Sequence, residues 1–152
     1  MYKVIEGSNL LEAKGLICHQ TNCVGIMGGG VALAIRNKWP TVYEEYKKEC
    51  NMFSSNPQYL MGHIQDILIN NDIVVVNCFG QLYPGNGLMT DYIAWNRILD
   101  KLRDLHSYYN MPINIPYKIG CGLAGGDWNI MEKKFKDMFE HSSIECIVHK
   151  FE

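Results

Sequence analysis

The run Ile17-Cys-His-Gln-Thr-Asn-Cys-Val-Gly-Ile-Met-Gly-Gly-Gly30 constrains this chain more than any other stretch. The apolar segment from Leu16 to Cys18 reads as a buried strand. Polar side chains crowd its end at His19, Gln20, Thr21 and Asn22, and a glycine-rich turn follows. The next residues, Val31-Ala-Leu-Ala-Ile-Arg36, are mostly strong helix formers. A strand, a glycine loop and a helix N-terminus in that order make an anion site, because backbone N–H groups point outward and the helix dipole favours negative charge. Consecutive glycines at 28, 29 and 30 leave no Cβ to hold a phosphate off the backbone. A plain strand–turn–helix joint needs one glycine, whereas four of the six positions from Gly25 to Gly30 are glycine. The surplus points to a ligand.

The rest of the chain supplies the frame for that loop. Tyr2–Glu6, Leu16–Cys18, Ile73–Phe79, Ile113–Ile119 and Ile144–Phe151 read as strands. The unbroken β-branched run at 73–76 predicts a central strand covered on both faces. Tyr59–Ile64 and Ile67–Ile69, parted by Gln65 and Asp66, suggest a hairpin-like or edge region. Helices are expected over Val31–Lys38, stopped by Pro40, and from Thr41, where Thr41 and Glu44 form a capping box. The longest helix should start at an N-cap on Thr90, with apolar positions at Ile93, Ile98, Leu99, Leu102 and Leu105. A last helix opens at Asp127-Trp-Asn, with Met131, Phe135, Met138 and Phe139 on its apolar stripe. Strands alternating with helices imply an α/β sandwich with a largely parallel or mixed sheet.

A second glycine loop, Gly120-Cys-Gly-Leu-Ala-Gly-Gly126, follows the strand-like run Ile113–Ile119. Two strand–glycine-loop–helix units in one small domain suggest the two walls of a single diphosphate cleft. This loop spells Gly120-x-Gly122-x-x-Gly125, with acidic Glu145 on the next strand, so a dinucleotide-binding unit has to be weighed. Its position argues against that reading, since the dinucleotide fingerprint opens a sheet and this loop comes near the end of the chain. Neither glycine loop is followed by Lys-Ser or Lys-Thr, which argues against a phosphate-binding loop of the nucleotide-triphosphatase kind.

Composition narrows the function classes. Fourteen basic and sixteen acidic residues give a net charge of −2, so there is no overall basic field for nucleic acid. The six cysteines are scattered and never form Cys-x-x-Cys, which suggests neither a zinc ribbon nor a redox pair. No His and carboxylate cluster suggests a metal, and no cofactor is expected. With no signal-like or membrane-spanning apolar run, the expectation is one cytoplasmic, monomeric domain over residues 1–152 that takes a small molecule, with no membrane partner.

The stretch from Ile17 to Ala32, together with Ile115-Pro-Tyr-Lys-Ile-Gly-Cys-Gly-Leu-Ala-Gly-Gly-Asp-Trp128, resembles the macrodomain family over nearly the whole chain. Within it, the ADP-ribose 1″-phosphate phosphatase-like branch of bacteria, phages and yeast is the most similar. The resemblance implies a three-layer α/β/α sandwich with a central mixed, largely parallel sheet and an ADP-ribose cleft at the strand ends. It places Asn9 at the adenine amine and Asn22 at the distal ribose. The first loop (Gly25, Met27, Gly28, Gly29, Gly30 and Val31) and the second (Gly120, Cys121, Gly122, Leu123, Ala124, Gly125 and Gly126) would hold the diphosphate and distal ribose. Asp127 would be an acid or base beside the anomeric carbon, and Asp91, within a matching Thr90-Asp91-Tyr92, a second carboxylate. Ser8 departs from the pattern beside the adenine residue. A lysine that related macrodomains use after the central strand is also missing, since none lies between Lys48 and Lys101. That argues against a lysine-adduct route.

Taken residue by residue, the catalytic assignments stay open. Asp127 precedes a helix and is a natural N-cap, although Asn129-x-x-Glu132 is itself a capping box that would free it. Asp91 follows an expected N-cap, where the helix dipole alone favours a carboxylate. His19 at a strand end is a catalytic candidate or a structural imidazole. The expected activity is binding of ADP-ribose and hydrolysis of ADP-ribose 1″-phosphate. The alternatives are a non-catalytic ADP-ribose-binding module and a lysine-independent ADP-ribosyl ester hydrolase.

Overall fold

The computed structural model describes residues 1–151. Six strands, β1 (Tyr2–Glu6), β2 (Gly15–Thr21), β3 (Ile64–Asn70), β4 (Ile73–Phe79), β5 (Ile113–Pro116) and β6 (Cys146–Lys150), form one sheet in the order β1-β6-β5-β2-β4-β3. Every pairing is parallel except that of the edge strand β3, which runs antiparallel to β4. Helices α1 (Gly30–Lys38) and α2 (Pro40–Met52) cover one face, and α3 (Tyr92–Tyr109) and α4 (Trp128–Phe139) cover the other. This is the expected three-layer sandwich with a mixed, largely parallel sheet.

Alternation along the inner strands divides the core between the two faces. On β2, Leu16 and Cys18 pack with Trp95, Ile98, Leu102, Phe135 and Phe139 on the α3/α4 side. Ile17 faces the other way, joining Ile35, Val42, Tyr46 and Cys50 on the α1/α2 side. Strand β4 is buried from Val74 to Phe79, as expected for a strand covered on both faces. Residues Val42, Tyr46 and Cys50 are spaced four apart, so one stripe of α2 meets the sheet.

Several element ends differ from expectation. Strand β2 runs on through His19, Gln20 and Thr21, because the Asn77 side chain and Cys78 carbonyl on β4 meet His19 and Thr21, and Thr90 ahead of α3 meets Gln20. Strand β5 stops at Pro116, which has no N–H for the ladder, and the chain turns there through Lys118 at φ +59°. The segment 57–60 is a 3₁₀ turn, and Gln65 and Asp66 lie inside β3. Helix α2 begins at Pro40, whose fixed φ suits the first helical position, and Thr41 is therefore not its cap. Asp91 caps α3 in place of Thr90, accepting from Ala94 N at 2.9 Å.

Candidate functional site

The carboxyl ends of β2 and β5 open into a cleft of about 590 Å³. One wall is the first glycine loop and the start of α1, and the other is the second glycine loop. An adjoining pocket of about 330 Å³, bordered by Asn9, Leu10, Tyr117 and His149, shares Val31, Pro116 and Tyr117 with the cleft. The two lie side by side, with these three residues between them, and are together called the trough.

The first wall is built for a ligand to approach the backbone. Gly29 is the N-cap of α1 and provides no side-chain cap, so the first-turn N–H groups have no partner within the helix. Cβ atoms built on Gly28 and Gly30 would meet nothing closer than 3.7 Å, and one on Gly29 would reach only Leu123 across the cleft, at 3.4 Å. These glycines, with Val31, line the cleft. Gly25 and Met27 do not line it, contrary to the expected binding role. Gly25 makes the turn at φ +83°, and Met27 is buried in the core beneath the loop.

Asn22 borders the cleft, but its side chain is committed to shaping the loop. Its Oδ1 accepts from Val24 N at 3.1 Å and from Tyr46 Oη at 2.7 Å, and its Nδ2 donates to Ile26 O at 2.8 Å. One Nδ2 proton is left without a partner among the described residues. Asn9 similarly uses Oδ1 to cap a 3₁₀ turn at Leu11 N, 3.0 Å away, while lining the adjoining pocket.

The second wall serves two purposes. Residues from Gly120 to Ala124 line the cleft, and a Cβ on Gly122 would meet open space. Gly125 and Gly126 do not line the cleft, and packing explains them. A Cβ on Gly126 would sit 2.5 Å from Gly120 O, and one on Gly125 would collide with Gly87 O. Gly120 backs onto Gln20, whose role in organising the strand ends the sequence reading did not assign. Trp95 Nε1 donates to Gln20 Oε1 at 2.7 Å, Gln20 Nε2 donates to Thr90 Oγ1 at 2.9 Å, and Thr90 Oγ1 donates to Gly120 O at 2.6 Å. That demand on its hydroxyl removes Thr90 from the helix cap. Burial raises the Cys121 thiol to about 11 and the Cys23 thiol to about 12, so both stay protonated near neutral pH.

Neither expected carboxylate lines the cleft. Asp127 accepts from Asn129 N at 2.9 Å and is the N-cap of α4, so Asn129 does not take its place. Asp91 caps α3. The two caps are nonetheless linked, since the Asp127 N–H donates to Tyr92 Oη at 2.9 Å.

The one catalytic candidate that borders the cleft is His19, only 1% exposed. Its Nε2 lies 2.6 Å from Asn77 Oδ1, while its Nδ1 is the one buried side-chain nitrogen or oxygen without a hydrogen-bond partner among the described residues. Burial lowers its pKa to about 4, with the Asn77 contact opposing, so the ring is neutral near pH 7. Lys118, Gln81 and the segment 84–86 also border the cleft, and sequence reasoning missed them. The glycines of the loop 80–89 were the available signal. Among the described residues, no three His, Cys, Asp or Glu side chains gather as a metal site, and no helix is long and apolar enough to cross a membrane.

No protein-family model matches the chain. An ADP-ribose 1″-phosphate phosphatase of Debaryomyces hansenii is 34% identical over 147 residues, covering 80% of this chain and 81% of that one. The macrodomain of Mycobacterium tuberculosis DarG superposes with a TM-score of 0.81 at 20% identity, covering 99% of each chain. The chain belongs to the macrodomain family. A shorter match, 38% identical over 45 residues, joins this macrodomain to an ADP-ribose 1″-phosphate phosphatase of Aspergillus oryzae and spans 30% of this chain and 22% of that protein. The first three such relatives are matched over less than a third of their own length.

Proposed function

We propose that this macrodomain binds ADP-ribose in the trough and hydrolyses ADP-ribose 1″-phosphate to ADP-ribose and phosphate. The adjoining pocket beside Asn9 takes the adenine, and the open amides of Gly28 to Gly30 at the α1 N-terminus take the diphosphate. The 1″-phosphate end then lies at the β2 terminus, beside His19. The observation that carries the reading is the unpartnered Nδ1 of a buried neutral imidazole at the wall of a glycine-lined cleft. The phosphatase relative aligned over 80% of the chain supports it.

In the reaction a water donates a hydrogen bond to His19 Nδ1. Its oxygen bonds to phosphorus as the bond from phosphorus to the 1″-oxygen breaks. Nδ1 accepts the water proton and releases it to solvent, and the departing 1″-oxygen takes a proton from solvent water, giving ADP-ribose and inorganic phosphate. Loop N–H groups stabilise the charge that builds on the phosphoryl oxygens.

A phosphate-release assay on ADP-ribose 1″-phosphate, run beside calorimetry with ADP-ribose, tests this. His19→Gln should lower the rate about 10²–10⁴-fold, the usual weight of a general base, and change ADP-ribose affinity little. One observation favours a second reading, a module that binds ADP-ribose without turning it over, because both carboxylates are committed to helix caps. Tight ADP-ribose binding by a wild type that releases no phosphate would decide for that module.

A further inference from the structure

Two buried histidines make the same contact and differ in one respect. His149 on β6 places Nε2 2.7 Å from Asn114 Oδ1 and Nδ1 2.6 Å from Ser8 Oγ. His19 on β2 lines the cleft and places Nε2 2.6 Å from Asn77 Oδ1, while its buried Nδ1 is unpartnered.

The proton positions follow from the far end of each chain of contacts. His19, Asn77 and Gln65 stand opposite one another in register, a row across β2, β4 and β3. Gln65 Nε2 lies 3.0 Å from Glu45 O on α2, and Gln65 Oε1 lies 3.1 Å from Asn77 Nδ2. A backbone carbonyl only accepts, so Gln65 must turn its NH₂ to Glu45 and its oxygen to Asn77. Asn77 must then give its NH₂ to Gln65 and its oxygen to His19. That oxygen also only accepts, so Nε2 of His19 carries the proton and Nδ1 is a bare lone pair. The same logic runs through Asn114, whose Nδ2 lies 2.9 Å from Lys14 O and 3.2 Å from Leu16 O. It makes His149 Nδ1 an acceptor as well, one that the Ser8 hydroxyl fills. One row is closed by the protein, and in the other the Nδ1 acceptor of a cleft-lining residue is buried without a partner.

We propose that Gln65 and Asn77 are positioning residues that lock His19 in the Nε2–H tautomer, presenting its Nδ1 lone pair to a water or hydroxyl in the cleft. The identity of the ligand rests on the function proposed above, while the tautomer does not. No charged side chain contributes to the shift of His19. Beyond His19 the row through β4 to β3 contains only amides, and the Glu45 carboxylate on α2 lies 3.5 Å from Lys48. Backbone anchoring therefore sets the tautomer, with no ion pair involved.

Long-range ¹H–¹⁵N NMR on the full chain reads which ring nitrogen of each histidine bears the proton, and His19→Gln identifies the signal. The wild type should show His19 as Nε2–H. Gln65→Leu frees Asn77 to turn over, so His19 should become a mixture of tautomers, and phosphate release should fall about tenfold with KM changed far less. In Asn77→Asp the carboxylate can only accept, so Nε2–H should persist and the His19 pKa should rise from about 4. An Nδ1–H form in the wild type overturns the proposal, as does a tautomer unmoved in folded Gln65→Leu. If Gln65→Leu does not fold, Asn77→Asp decides alone: Nε2–H with a raised pKa upholds the lock, and either property missing overturns it. A wild type with the expected tautomer and Gln65 response but no phosphate release upholds the lock and refutes the phosphatase.

Discussion

Burial of a neutral imidazole at the cleft wall should make this protein sensitive to acid well above the pH at which its carboxylates titrate. His19 has its pKa lowered from 6.5 to about 4 in the folded chain. Between those values the unfolded chain binds a proton that the folded chain refuses, so the unfolded state binds more protons and stability falls as pH falls. Each tenfold change in proton affinity is worth about 1.4 kcal/mol, so the full shift removes about 3 kcal/mol between pH 6.5 and 4. Below about pH 4 both states are protonated and this contribution levels off. That is a large share of the ~5–15 kcal/mol that holds a domain together. The assay is urea denaturation of wild type and His19→Gln at half-unit pH steps from 4 to 8. Subtracting the two curves cancels the other titrating groups, His149 among them, whose pKa burial also lowers. The difference should be flat above pH 7 and drop by about 3 kcal/mol down to pH 4. A difference that stays constant across that window would show that His19 is not buried neutral, and the catalytic reading built on its lone pair would fail with it.

Three further outcomes follow from the loops and caps. Asp127→Ala should lower stability by about 1 kcal/mol through loss of the α4 cap; melting temperature and phosphate release measured on one sample should show turnover per folded molecule unchanged. Gly29→Val should fold normally, because φ −159° suits any residue, yet lose ADP-ribose binding by calorimetry as a branched side chain enters the cleft. Gly126→Ala should cost about 2 kcal/mol or more in denaturant unfolding, because its Cβ would press on Gly120 O, whereas Gly122→Ala, facing open space, should leave stability within about 0.5 kcal/mol.

How far the chain could be read from its residues depended on how local each decision was. The β-branched run of β4 and the four-residue stripe of α2 declare themselves, since their periodicity is set within one element. Thr90 and Asp91 show where local reading ends. Either is a good capping residue, and the choice between them is made by Gln20 and Gly120, which are remote in sequence and claim the Thr90 hydroxyl. His19 and Thr21 look like loop residues because they are polar, yet the sheet keeps them by supplying partners from β4. The glycines of the second loop look alike in sequence and divide in space. Gly122 faces the cleft, while Gly125 and Gly126 leave room for neighbouring backbone. Asp127 appeared free only so long as Asn129 was credited with the cap.

The contacts running from Trp95 through Gln20 and Thr90 to Gly120 have a consequence for how fast a ligand is captured. They fasten the end of β2, the start of α3 and the second loop together through protein groups alone. The trough is therefore assembled during folding and does not wait for its occupant. A ligand entering a cavity already in shape has little ordering left to impose, so more of its contact energy is available as affinity. Capture should then run as a single bimolecular step whose observed rate rises linearly with ADP-ribose concentration, without the plateau that a slow closure would introduce.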